Sequence, residues 1–223
     1  MTRIGILLFT LLSTAFPQLA DKANSAYKTP EGRDTVAQTL IAPGRDARQK
    51  PEELVRAMQL QPGMVVADVG TGPGYMLPFL SRAVGETGRV LAEDIQEDFL
   101  AKARKKAETD KLPNVSFIKG SETDPMLPES GVDVALALDS YHHYDYPQKM
   151  LAGIRKALKP GGKLVLVEYY RRQNAMPNGR AMEHIRLDAP DVIKEIESNG
   201  FRLESQREHI KDSQYMVTFT AIK

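Results

Sequence analysis

From Pro51 onward the chain alternates between two apolar rhythms. Short, nearly unbroken apolar runs ("MVVADV", "RVLAEDI", "NVSFIKG", "VDVALAL" and "KLVLVEYY") read as strands buried on both faces. Between them the apolar residues fall at helical spacing. Leu77, Leu80, Ala83 and Val84 mark a helix over Tyr75–Val84, and Phe99, Leu100, Ala103 and Ala107 mark one over Glu97–Lys111. "KPEELVRAMQL", Pro147–Leu158 and Asp191–Asn199 complete the helical set, with "KPGG" and Gly200 as stops. This alternation predicts an α/β fold: a mostly parallel sheet with helices on both faces and right-handed crossovers. The last two runs, "FRLESQREHI" and "QYMVTFTAIK", are spaced to pair as a C-terminal antiparallel hairpin.

The pattern before Pro51 is different. "MTRIGILLFTLLSTAFPQLA" places one Arg ahead of an apolar stretch from Ile4 to Leu12, followed by small residues. That is the layout of a secretory signal peptide, with cleavage expected after Ala20 or Ala26. The stretch is too short to span a bilayer, which takes about 20 apolar residues. Residues 1–26 are therefore expected to be removed on export, the chain being exported or periplasmic, with no stable membrane insertion of the mature chain. A cytoplasmic location is the alternative. Residues 27–50, polar with Pro and Gly, read as a linker or N-terminal lid segment, and residues 51–223 as the folded domain.

Composition narrows the chemistry. A length of 223 residues suits one domain. The net charge of +1 gives no global attraction to nucleic acid. The absence of cysteine removes thiolate metal sites and thiol nucleophiles.

The stretch "VADVGTGPGY" carries the most specific chemistry. A dinucleotide fingerprint is G-x-G-x-x-G, whereas here Gly70, Gly72 and Gly74 form G-x-G-x-G with Tyr75 following. Pro73 lacks a backbone donor, and Asp68 at the mouth of the loop repels phosphate. Both favour a cationic nucleoside without phosphate. Asp94, about 20 residues on, is placed for an acid that accepts from both ribose hydroxyls.

With "RVLAEDI", "GSETDP", "VDVALALDSYHH" and "ALKPGGKLVLVEY" following in order, the chain from Pro51 to Lys223 resembles the class I S-adenosylmethionine-dependent methyltransferases. The resemblance implies a Rossmann-like seven-stranded sheet with a reversed final strand, and S-adenosylmethionine as cofactor. It places Asp68, Gly70, Thr71, Gly72 and Gly74 along the methionine end, Asp94 on the ribose and Ile95 on the adenine. The turn after the third strand would meet the adenine amino group. Ser121 stands where this family commonly has Asp, so Glu122 or Asp124 takes over there. Asp139 would lie beside the methyl group. The family often builds a lid where Arg45, Asp46 and Arg48 stand.

Methyl transfer needs alignment, desolvation and, for some acceptors, removal of a proton. His142 and His143, after the fourth strand, are the candidate bases. Asp139, His142, His143 and Asp145 do not form a recognised ligand motif, and adjacent histidines point apart on most backbones, so no metal site is expected. No N-P-P-aromatic sequence or basic aromatic extension points to nucleic acid. The expected partner is a small molecule, methylated at oxygen, nitrogen or a carboxylate. A nucleoside-binding protein of this fold without transfer activity is the alternative.

Overall fold

In the computed structural model, which describes residues 20–222, the five apolar runs are parallel strands. They are β1 (Val65–Val69), β2 (Arg89–Asp94), β3 (Val115–Lys119), β4 (Val132–Leu138) and β5 (Leu158–Tyr169). The terminal hairpin is β6 (Phe201–Ile210) and β7 (Gln214–Ala221). The sheet order is β3-β2-β1-β4-β5-β7-β6, with β7 antiparallel to both β5 and β6. β5 begins earlier than its apolar run suggests. It takes in "KPGG" and continues directly from the preceding helix, with a register shift against β4 between Val132 and Val134.

The helices, in chain order, are α1 (Pro30–Leu40), α2 (Arg45–Gln49), α3 (Pro51–Met58), α4 (Leu77–Val84), α5 (Glu97–Thr109), α6 (Pro147–Ala157), α7 (Ala181–His184) and α8 (Ala189–Glu197). Two apolar cores result. One gathers Leu54, Met58, Leu77, Leu80 and Val84 from α3 and α4 against Val66, Val90 and Val134 of the sheet. The other gathers Leu151, Ile154, Val192 and Ile196 from α6 and α8 against Ala135, Leu164 and Phe219. Each fully buried leucine contributes roughly 1.5–3 kcal/mol relative to exposure, so these faces carry most of the fold's stability.

The signal-like segment lies outside the described residues except for Ala20–Ala26. The linker reading of the residues that follow is corrected. A 3-10 turn at Ala23–Tyr27 leads into α1, which starts at Pro30 with the Thr29 hydroxyl accepting from Gly32 N. Ion pairs Arg33–Asp98 (2.6 Å) and Lys102–Asp34 (2.8 Å) lie between α1 and α5. The sequence looks like a linker because α1 buries little, with Ala37 its one buried residue. It packs over the rim of a cavity instead of over a core.

Strand order reverses between β1 and β4, so their C-terminal ends splay apart and open a crevice. Ser140 Oγ donates to Val69 O across 2.8 Å and ties the two strand ends together. Gly70, at φ +79°, passes so close that a Cβ there would sit 2.7 Å from Ser140 Cβ. The first glycine is thus required by both conformation and space.

Candidate active site

The loop after β1 is closed on itself. Gly70 N and Thr71 N both donate to Glu93 O (2.9 and 2.8 Å), and Gly74 N donates to Thr71 O (3.1 Å). Gly72 N donates to Asp94 Oδ2 (2.8 Å), and Pro73 has no donor. A pyrophosphate on this loop would find every backbone donor from Gly70 to Gly74 already used. The dinucleotide alternative fails on this geometry, beyond the glycine spacing.

A cavity of about 440 Å³ opens above the loop. Of the residues expected to bind cofactor, Asp68, Gly70, Thr71, Gly72, Asp94, Ile95, Ser121, Glu122 and Asp139 line it, and Gly74 does not. Gly74, at φ +87°, turns inward, where a Cβ would meet Leu77 Cδ1 at 2.8 Å and Ala103 Cα at 3.2 Å. Its role is to let the loop pack onto α5. Ser121 is taken up by its own turn, its hydroxyl accepting from Asp124 N at 3.0 Å. Asp124 lies off the cavity, its Oδ1 accepting from Met126 N, so Glu122 is the acid of this turn on the lining.

Two buried carboxylates and a third that is partly buried give the cavity its character. Burial pushes Asp68 up to about 6 against the Thr71 hydroxyl, which donates to it at 2.7 Å. Burial likewise pushes Asp94 to about 6 against the N–H groups of Gln96 and Gly72. Asp139 rises to about 7 through burial and the nearby Glu168. It ends β4 in the left-handed region, at φ +52°, a strained position for a residue with a side chain. Its carboxylate accepts from Gln214 Nε2 (2.7 Å) and faces Arg45 at 3.7 Å. Arg45 in turn stacks on Tyr75, 3.9 Å from the ring centroid. A cationic ligand with ribose hydroxyls fits this donor set, because it offers positive charge and hydroxyl protons to acids that lack partners enough.

Comparison with known proteins agrees. Residues 66–162 match a family described as a methyltransferase domain. That match takes in β1 to the first residues of β5, the stretch that carries the glycine loop, Asp94 and Asp139. A solved S-adenosylmethionine-dependent methyltransferase from Aquifex aeolicus has a TM-score of 0.77 at 28% identity, covering 84% of this chain and 98% of that one. The ubiquinone/menaquinone biosynthesis C-methyltransferase UbiE of Shewanella pealeana is 31% identical over 51% of this chain and 46% of its own length. The S-adenosyl-L-methionine-dependent Diels-Alderase iccD of Talaromyces variabilis is 30% identical over 59% of this chain and 45% of its own. The chain thus spans less than half the length of these curated relatives. S-adenosylmethionine, on which the Aquifex protein depends by name, suits the acids and the closed loop of this cavity.

The histidines divide. His143 lines the cavity, while His142 turns away from it. His142 Nδ1 lies 2.7 Å from Glu168 Oε2, both side chains being buried. Burial alone would lower His142, but the Glu168 carboxylate outweighs it and holds the imidazole above its usual value. Burial and the neighbouring imidazoles push His143 well below the usual range, and burial with His142 takes His184 down to about 4. The two adjacent rings do not point apart: their centroids are 4.1 Å apart.

Several residues of the site were not picked out from the sequence. Asn24 Nδ2 donates to His143 O (3.0 Å) and Asp145 Oδ2 (3.2 Å), and the Tyr27 hydroxyl lies 3.4 Å from His143 Nε2. Glu93 sits beneath the loop with Oε1 unpartnered among the described residues and its pKa pushed well up by burial. Its position next to Asp94 in "LAED" was the available signal, since an acid inside an apolar strand is costly without a purpose.

Proposed function

We propose that this chain transfers a methyl group from S-adenosylmethionine to a small-molecule acceptor, at oxygen, nitrogen or a carboxylate. The observation that supports this best is the cavity itself: a loop with no backbone donor left for phosphate, faced by the carboxylates of Asp68, Asp94 and Asp139. When bound, the cofactor supplies an electrophilic methyl carbon on a sulfonium that departs as a neutral thioether. The chain's part is to bind, orient and dehydrate. Asp94 accepts from the ribose hydroxyls, Asp68 and Asp139 face the cationic end, and Arg45 and Tyr75 close that end from α2 and the loop. The Ala23–Tyr27 turn and α1 cover the rim and exclude water.

His143, on the cavity lining, is the residue proposed to hold or take the acceptor's proton, and His142, which turns away from the cavity, backs it from behind. Glu168 fixes the His142 ring by accepting from Nδ1, which leaves Nε2 with its lone pair. The Shewanella relative is by name a C-methyltransferase, so carbon acceptors belong in the screen beside the heteroatom acceptors.

Isothermal titration with S-adenosylmethionine, S-adenosylhomocysteine and NADH tests this reading. Binding of the first two and not of NADH is expected, and absence of binding by both sulfur nucleosides overturns it. Transfer of labelled methyl into an acceptor panel then separates an enzyme from a nucleoside-binding protein of the same fold. We also propose that the chain is exported, on the layout of its first twenty residues.

A further inference from the structure

Three histidines converge in the wall between the nucleoside cavity and the segment after β5. His184 of α7 meets His142 and His143 edge-on, with centroid distances of 4.9 and 5.4 Å. One ring nitrogen from each of the three lies within 4.8 Å of the other two. His184 is held there by its flanks: Ala181 and Ile185 are buried in a small cluster with Ala175 that packs against Tyr169 and Tyr170.

Outer partners fix the tautomers. A carboxylate only accepts, so His142 carries its proton on Nδ1, toward Glu168. Glu168 is itself fixed by Tyr141 N, which donates to it at 3.0 Å. Asn24 spends its amide N–H groups on His143 O and Asp145, so its Oδ1 is the atom that faces His143 Nδ1, at 2.8 Å. His143 therefore also carries its proton on Nδ1. Both histidines keep an Nε2 lone pair, and among the described residues the Tyr27 hydroxyl lies 3.4 Å from that of His143. Packing of three rings requires neither a carboxylate nor an amide behind them. An imidazole backed by a carboxylate or carbonyl oxygen on its far nitrogen is the arrangement of a metal-ligating histidine.

We propose that His142, His143 and His184 bind one divalent first-row transition ion. Three imidazoles without thiolate suit zinc and its neighbours in the series, and are too soft for magnesium or calcium. Nitrogens about 2.1 Å from a tetrahedral ion stand roughly 3.4 Å apart, so from within 4.8 Å of one another binding draws them together by up to about 1.4 Å. Three protein ligands leave a fourth position for water or another donor, as in catalytic rather than structural zinc sites. An ion held by His143 would occupy the lone pair assigned above to the acceptor's proton, so the two roles exclude each other at that atom, and metal and nucleoside binding are measured separately.

The test uses the untagged full chain, stripped with chelator. Zn²⁺ is titrated in competition with a chromophoric chelator, and Co²⁺ is followed by its visible absorption. One Zn²⁺ per chain, four-coordinate Co²⁺ bands and shifts of three imidazole resonances on adding Zn²⁺ are expected. His184→Ala should weaken Zn²⁺ at least about hundredfold and Glu168→Gln about 10–100-fold, as loss of an outer partner does. S-adenosylhomocysteine titration of His184→Ala shows whether the cavity is intact. Wild-type protein that takes up no Zn²⁺, or shows no imidazole shifts on its addition, overturns the proposal without any variant. So does a folded His184→Ala that binds Zn²⁺ as tightly as wild type.

Discussion

The backbone N–H of Gly72 donates to the Asp94 carboxylate across 2.8 Å, and this bond locks the glycine loop to the end of β2. The other carboxylate oxygen accepts from Gln96 N, also at 2.8 Å. Lone pairs remain on both oxygens for ribose hydroxyls. Asp94→Ala removes the loop anchor and the ribose acceptor together. S-adenosylhomocysteine affinity should fall about hundredfold or more by calorimetry, in line with loss of charge-assisted bonds.

Asp94 also sets a pH dependence. Its carboxyl, near Lys119 and Asp98, titrates at about 6 in the free protein, and only the ionised form accepts from two hydroxyls. Affinity for S-adenosylhomocysteine should be level above about pH 7 and fall as pH drops through 6, by up to tenfold per unit. An affinity flat from pH 8 to pH 5 would remove Asp94 from the ribose site.

Asp68 predicts a trade of function for stability. It is buried, is faced by Asp94 and Arg45, and titrates at about 6 against a model-compound value of 3.8. Because the folded pKa is the higher one, the charge destabilises the free protein above pH 6, and that cost fades as pH falls toward 4. Asp68→Asn keeps an oxygen for the Thr71 hydroxyl and removes the charge. Thermal melts at pH 8 should show the free variant more stable by about 1–3 kcal/mol, with the gain gone near pH 4. The same variant should bind S-adenosylmethionine more weakly, because the sulfonium end loses a counter-charge.

Two glycines with similar backbones should respond unequally to alanine. Gly74 and Gly161 both have positive φ, at +87° and +78°. A Cβ at 74 meets Leu77 and the Ala103 backbone, whereas nothing lies within 4 Å at 161. Gly161→Ala carries only the left-handed strain of about 1–2 kcal/mol. Gly74→Ala adds overpacking of about 1–3 kcal/mol and should lower the melting temperature by several degrees more. Equal melts for the two variants would mean that α5 does not pack on the loop as described.

The contrast between α1 and β1 shows where sequence reading works. β1 is legible because a parallel strand buried on both faces leaves no polar position, and Asp68 stands out against that background. Asp94 was found by its distance from the glycine loop, and Asp139 only through the resemblance to a family. α1 was not legible, because a helix that covers a cavity rim needs no apolar stripe. Asn24 lies 119 residues from His143, and its hydrogen bonds leave no local pattern. His184 was visible only as one charge-bearing residue among several after β5. Its meeting with His142 depends on the path of a loop whose small buried residues, Ala175 and Ala181, carry no periodicity.

The Ala20–Leu40 arm yields the last prediction, which joins export to the site. Ala20 N donates to Asp145 Oδ1 (2.9 Å), Asn24 binds His143 and Asp145, and Arg33 reaches Asp98. A signal cleaved after Ala26 would discard Asn24 and leave the amide-facing Nδ1 of His143 without its partner. Cleavage after Ala20 would keep Asn24, Tyr27 and α1. Intact-mass measurement of exported protein should therefore find a chain beginning at or before Asp21. A chain beginning at Tyr27 should open the rim, release S-adenosylhomocysteine about tenfold faster and lose protease resistance over α1. Asn24→Ala should show a milder form of both effects. Unchanged release by the chain that starts at Tyr27 would show that the arm packs on the cavity without closing it.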